Sequence, residues 1–186
     1  MNFDGSPVDS AQIEAATKTI SHRGPDNLSV WTHDCVALGH TRLSIVDLSS
    51  NANQPFHLDQ HNLSMVYNGE IYNYKELRAE LESRGATFST SSDTEVIIQG
   101  YAVFGLEYFT RLNGIFAVAI WDRDARELIL ARDRLGVKPL YLCRQEQRLI
   151  FGSEIKAILA ATPNSCLLYT SPSPRDQRGS RMPSSA

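Results

Sequence analysis

Cysteine is scarce in this chain of 186 residues, and the three present, Cys35, Cys143 and Cys166, have neither metal-ligand spacing nor the pattern of a disulfide framework. A reducing, cytoplasmic setting is the expectation. Long apolar runs are missing too: the longest, 115–121, is far short of the ~20 residues that a membrane-spanning helix needs. The N-terminal segment lacks the basic start and apolar stretch of a secretory leader. There is no excess of basic charge, since 18 Lys and Arg against 21 Asp and Glu leave a net charge of −3. No basic stripe with interleaved aromatics is present, which argues against a nucleic-acid partner. No internal repeat is visible. What remains is ordinary for a globular protein with one well-filled core: 42% apolar and 21% charged residues.

The texture changes at Cys166. Three of the eight prolines lie beyond it, with no helix or strand period. The plain reading is a disordered tail. A sharper one comes from back-translation: Cys166 to Asp176 resembles a transposase-type sequencing adaptor, and 180–186 resembles its flow-cell end. Residues 166–186 are therefore expected to be adaptor read-through, 162–165 the start of a truncated linker, and 1–161 the folded domain. The gene is expected to have continued.

Within 1–161, Asp9 or Ser10 can cap a helix running to about residue 21, with Ile13, Ala16, Thr17 and Ile20 on one face. His22-Arg23-Gly24-Pro25-Asp26 stops it. Segments 29–32 and 35–40 look like an antiparallel pair joined around His33-Asp34, and 49–54 is a polar loop. A strand over 63–67 runs into Asn68-Gly69. That pair normally marks a tight turn, because both residues tolerate positive φ. It also offers a side-chain amide and an unobstructed backbone N–H, two donors able to hold a developing oxyanion. Sequence alone leaves both readings open.

Asn73 with Glu76 forms a capping-box pattern for a helix over 74–84, with Leu77 and Leu81 inward and Gly85 at its end. Ser92 with Glu95 forms a second, heading a helix that carries Val96, Ile97, Tyr101 and Phe104. A short helix near 106–112 precedes strand-like runs at 115–121, 127–131, 140–143 and 149–152, and a last helix begins at Ser153-Glu154. The first of these runs is apolar throughout, as expected for a strand covered on both faces. The pattern is α+β and layered, not a βαβ alternation.

Seven segments, taken together, resemble one family. They are His22-Arg23-Gly24-Pro25-Asp26, Arg42-Leu43-Ser44-Ile45-Val46-Asp47, Tyr67-Asn68-Gly69-Glu70-Ile71-Tyr72-Asn73 and Ser92-Asp93-Thr94-Glu95, then Leu112 to Ala117, Ala131 to Tyr141, and Phe151 to Ala157. In order and spacing they look like the class II glutaminase domain of glutamine-hydrolysing asparagine synthetases. The resemblance covers nearly all of 2–159.

It implies a four-layer αββα sandwich of the Ntn-hydrolase type, lacking its first strand. It implies hydrolysis of L-glutamine to glutamate and ammonia, with ammonia passing to a C-terminal synthetase domain that amidates aspartate using ATP and Mg. No cofactor or metal is implied within this domain, no membrane or nucleic-acid partner, and a homodimer is left open. Two alternatives stand beside it. One is a class II amidotransferase with another acceptor, such as a sugar phosphate or phosphoribosyl substrate. The other is a non-catalytic glutamine-binding module.

The resemblance also assigns roles. Free glutamine carries an α-carboxylate and an α-ammonium, so its pocket needs a cation and an anion at fixed separation. Arg42 would grip the carboxylate, with Leu43, Ser44, Ile45 and Val46 lining the pocket, and Asp93 would bind the ammonium. Asn68 and Gly69 would form the oxyanion hole, and Glu70 would complete the contacts. Plain structural readings exist as well: a surface salt bridge for Arg42 and a helix-start carboxylate for Asp93. His22 and Arg23 are read as ordering a loop, Glu154 as an early-helix carboxylate, Arg132-Asp133-Arg134 as an ion-paired corner, and Cys35 and Cys143 as buried structural residues.

The family's nucleophile is an N-terminal cysteine whose own α-amine shuttles the proton. Here Met1 is followed by Asn2, and Asn2-Phe3-Asp4-Gly5 resembles the segment just after the family's first strand. No internal cysteine carries a free α-amine. A start placed inside the gene, or a naturally inactive domain, would each explain this, and the chain as written is expected to hydrolyse no glutamine.

Overall fold

The computed structural model describes residues 1–43 and 53–162. Ser44, Ile45 and Val46 of the expected pocket, much of the 49–54 loop, residues 163–165 of the expected linker and the whole of 166–186 lie outside the described residues.

Helix α1 (Ser10–Lys18) starts where the Asp9 carboxylate accepts from the N–H groups of Ala11 and Gln12, satisfying two donors that have no partner in the helix. It buries Ala16 and Thr17 against a hairpin of β1 (Asn27–His33) and β2 (Val36–Arg42). The hairpin turns through Asp34, which adopts φ 48. Between helix and hairpin, Gly24 lies so close to β2 that a Cβ there would sit 2.4 Å from the carbonyl of Thr41. Glycine is required at 24 by close approach, not by helix termination.

One sheet holds β3 (Phe56–Leu58), β4 (Leu63–Ile71), β5 (Gly114–Asp122) and β6 (Glu127–Arg132), in that order and antiparallel. Side chains alternate across β5. Phe116, Val118 and Ile120 join a core under α2 (Tyr74–Ser83) and α3 (Asp93–Phe104), while Ala119 and Trp121 face the opposite layer. Both faces are covered, as the unbroken apolar run implies. That opposite layer contains the β1–β2 hairpin and a second hairpin, β7 (Tyr141–Gln145) with β8 (Arg148–Gly152). Residues 1–3 tie the two together: Asn2 N–H donates to Cys35 O (2.8 Å) and Leu149 N–H donates to Met1 O (2.9 Å). Helices α1 and α4 (Ile155–Ala160) pack on each other over this layer. The result is α1/α4, hairpins, four-stranded sheet, α2/α3: the expected αββα sandwich.

Several local expectations give way to stronger partners. The turn at Asn68-Gly69 does not form. Strand β4 runs straight through, pairing Asn68 with Ala117 and Gly69 with Phe116. Gly69 is needed because its Cβ would lie 2.2 Å from Ile115 O. Asn73 does not cap α2; its amide donates to Arg111 O (3.1 Å) and accepts from Asn113 N–H (2.9 Å), pinning the turn before β5. Ser92 does cap α3, through Thr94 N–H (3.0 Å). Glu95, buried, reaches past Ser92 to take the N–H and hydroxyl of both Ser89 and Thr90. The corner at 132–134 is built on backbone, with no ion pair of Arg132, Asp133 or Arg134 among the described residues. Arg132 donates to the carbonyls of Gly136 and Lys138, and Asp133 accepts from the N–H groups of Phe116, Val137 and Lys138. The helix expected near 106–112 is a 3-10 segment, Gly105–Arg111. Strand β3 went unread, because three residues after a proline are too short to display a period of two.

Candidate active site

A cavity of about 470 Å³ opens between the two layers. Arg42, Leu43, Asn68, Gly69, Glu70 and Asp93, which are distant in sequence, all line it. Each arrives by a different route. Arg42 ends β2 and is 8% exposed; its Nη1 donates to Asn53 Oδ1 at 2.6 Å. Arg42 is thus buried and not a surface side chain. Leu43, next in the chain, is half exposed at the rim, and Glu70 is exposed.

Strand alternation sorts the next group. Asn68 shares the face of Val66, toward the hairpin layer. Its Nδ2 is buried and donates no hydrogen bond to any of the described residues, a costly state for an amide unless the position serves an acceptor. Along the edge of β4 that faces away from β5, the N–H groups of Tyr67, Gly69 and Ile71 point the same way. Tyr67 N–H is taken by Gln54 Oε1 (2.6 Å) and Ile71 N–H by Asp93 Oδ2 (3.1 Å). Gly69 N–H lies between them at the cavity wall.

Asp93 opens α3 and is buried. Its Oδ2 accepts from Tyr67 Oη (2.8 Å) as well as from Ile71 N–H, whereas Oδ1 accepts from none of the described residues. The helix N-terminus favours its charge, as the helix-start reading expects. Burial, then the neighbouring Asp93 charge, pushes the Tyr67 hydroxyl far above the usual phenol range, so it stays a donor to that carboxylate.

Four residues at this site went unread as such: Asn53, Gln54, His40 and the hydroxyl of Tyr67. Asn53 and Gln54 sit at the end of a polar loop, and their only signal is two amides ahead of Pro55. His40 precedes Arg42 on β2 and lines the same cavity. Burial lowers its imidazole from 6.5 to about 4, against the raising contact with the Tyr67 backbone, and the Arg42 charge lowers it further. An unfolded histidine takes up its proton near pH 6.5, before the folded one does. Stability is therefore lost as pH falls from 6.5 toward 4 and levels off below. The contribution is about 3 kcal/mol at most. In denaturant titrations, His40→Gln is expected to flatten the stability profile over that window. A variant profile parallel to the parent's would contradict the burial of a neutral imidazole here.

Glu154 accepts from His22 Nε2 (2.9 Å) and Arg23 Nη1 (3.3 Å) and pairs with Lys156, joining the end of α1 to the start of α4 at the surface. Cys35 and Cys143 are buried. Among the described residues, no group of three or more His, Cys, Asp or Glu could hold a metal, and no helix is long and apolar enough to cross a membrane.

The four-layer sandwich thus gathers a guanidinium, a carboxylate and amide N–H groups around one cavity. The solved structure of glutamine phosphoribosylpyrophosphate amidotransferase from Bacillus subtilis has this fold. It superposes with a TM-score of 0.72 at 22% identity, over 84% of this chain and 42% of that one. The chain belongs to the glutamine amidotransferase domain family, whose model matches residues 2–168. Among curated proteins it is 44% identical over 150 residues to "asparagine synthetase [glutamine-hydrolyzing] 3" of Bacillus subtilis, covering 80% of this chain and 24% of that protein. It is 42% identical over 151 residues to "amidase chry2" of Gibberella zeae, covering 80% and 22%. The chain thus spans about a quarter of the length of these relatives.

Proposed function

We propose that the cavity binds L-glutamine and that the domain serves an asparagine synthetase-like enzyme, releasing ammonia from the side-chain amide. The observation that carries this reading is the buried Asn68 Nδ2, which finds no acceptor among the described residues and shares one cavity with the Arg42 guanidinium and with an Asp93 Oδ1 that accepts from none of them. Arg42 takes the α-carboxylate through parallel charge-assisted bonds, and Asp93 takes the α-ammonium. With both ends of the zwitterion fixed, the side-chain amide reaches Asn68 and Gly69. Leu43 and Glu70 close the rim. A nucleophile adding to the amide carbon drives negative charge onto its oxygen, and the Asn68 and Gly69 donors hold that charge while ammonia departs.

The nucleophile of this scheme is an N-terminal cysteine thiolate, and water then releases glutamate from the thioester. Cys35 and Cys143 cannot replace it, since they are buried and line no part of the cavity. The polypeptide as written is accordingly expected to bind glutamine and release no ammonia above a buffer blank. Supplying an N-terminal cysteine with its strand confers hydrolysis, and Asn68→Ala then lowers kcat by roughly a hundredfold to a thousandfold. A restored domain that folds and binds glutamine yet stays inert would overturn the oxyanion assignment.

The ammonia amidates aspartate in a synthetase domain that uses ATP and Mg. The glutaminase half itself needs no cofactor and works in the cytoplasm. The likeness to an amidase keeps a different acceptor as the second reading.

A further inference from the structure

We propose that Gln54 is a positioning residue of the glutamine site, its side-chain amide serving as a one-residue strand that fixes the backbone beside Asn68. The proposal rests on the glutamine reading above. Sheet register shows why a side chain is used. Strand β3 pairs Leu58 with Leu63, His57 with Ser64 and Phe56 with Met65. Continued by two residues, the register would place Gln54 opposite Tyr67. The main chain does not do this, because the Gln54 carbonyl is turned away to accept from Ser29 Oγ on β1. Instead the carboxamide makes both bonds that a strand would make: Oε1 accepts from Tyr67 N–H (2.6 Å) and Nε2 donates to Tyr67 O (3.1 Å). A primary amide has the donor and acceptor geometry of a peptide unit, so it can close such a ring with one residue.

The consequences reach all three parts of the site. Tyr67 immediately precedes Asn68, so fixing its peptide groups fixes the direction in which the Asn68 amide leaves the strand. The Tyr67 hydroxyl holds Asp93 Oδ2 (2.8 Å), so the same residue orients the ammonium ligand. Asn53, adjacent to Gln54, accepts from Arg42 Nη1 (2.6 Å). The dipeptide Asn53-Gln54 thereby references the carboxylate grip and the amide end to each other across the two layers. Gln54 is itself 7% exposed and lines the cavity. Fixed separation is what lets the zwitterion ligands place the side-chain amide.

The test compares the parent with Gln54→Leu, which keeps the bulk and removes both bonds, and uses two readouts. By hydrogen exchange, the Tyr67 amide is expected to exchange at least tenfold faster in the variant, while the Ala119 amide in β5 changes little. Unchanged protection at Tyr67, or a loss shared equally with Ala119, would overturn the clamp. By calorimetric titration, L-glutamine is set beside L-norvaline, which has the zwitterion and no amide. Gln54→Leu is expected to weaken glutamine at least tenfold and to shrink the preference for glutamine over norvaline. An equal loss for both ligands means that Gln54 acts through stability alone, and overturns the positioning role. If the parent binds neither ligand, the glutamine reading fails, and the exchange result still decides whether Gln54 holds Tyr67.

Discussion

Arg42→Ala is expected to weaken L-glutamine binding by roughly thirtyfold or more, with the fold retained. The guanidinium is only 8% exposed, and Asn53 holds it in place. A carboxylate entering the cavity meets a cation largely stripped of water. Truncating one partner of such a desolvated charge pair costs about 2–5 kcal/mol, and every ~1.4 kcal/mol is tenfold in affinity. Arg42→Lys recovers little, because an ammonium cannot reproduce two parallel bonds to a carboxylate while also reaching Asn53. Titration calorimetry measures the effect, and circular dichroism confirms the fold. An Arg42→Ala protein that binds glutamine as the parent does would remove the carboxylate grip from the account.

Gly69→Ala is expected to destabilise the protein by about 3 kcal/mol or more, lowering the melting temperature by roughly 6–12 °C for a chain of this size. The added Cβ would lie 2.2 Å from Ile115 O and 2.7 Å from Phe116 Cα. Both are backbone atoms of the paired strand, so no side-chain rotation relieves the overlap, and β4 must move away from β5. Gly85→Ala supplies the contrast. Gly85 has φ 95 with nothing within 4 Å of a Cβ, so its cost is conformational only. That cost is about 1–2 kcal/mol. If both variants melt alike, Gly69 is serving as a turn glycine, and the continuous strand is wrong.

That contrast shows where the sequence was legible. Long periodic elements could be read: α1 with its Asp9 cap, the apolar β5, and α2 with Leu77 and Leu81 inward. Their signals are local. The seven-segment resemblance brought Arg42, Asn68, Gly69, Glu70 and Asp93 to one site from sequence alone, and the fold gathers them in one cavity. What stayed hidden was decided by partners distant in sequence. Asn68-Gly69 has the local chemistry of a turn, but pairing with Ala117 and Phe116 keeps it extended. Asn73 and Glu95 have the local chemistry of capping boxes, but other backbone groups compete for them. Gln54 gave no signal, because a side chain that replaces a strand has no sequence period.

The central claim is that one cavity holds free glutamine by its two charged ends and presents its amide to Asn68 and Gly69. A crystal structure of the chain with L-glutamine tests it most directly. The account predicts the α-carboxylate on Arg42, the α-ammonium on Asp93 Oδ1, and the side-chain carbonyl oxygen within hydrogen-bond reach of Asn68 Nδ2 and Gly69 N–H. Glutamine bound in the reverse sense, bound elsewhere, or absent from the cavity at saturating concentration would contradict it.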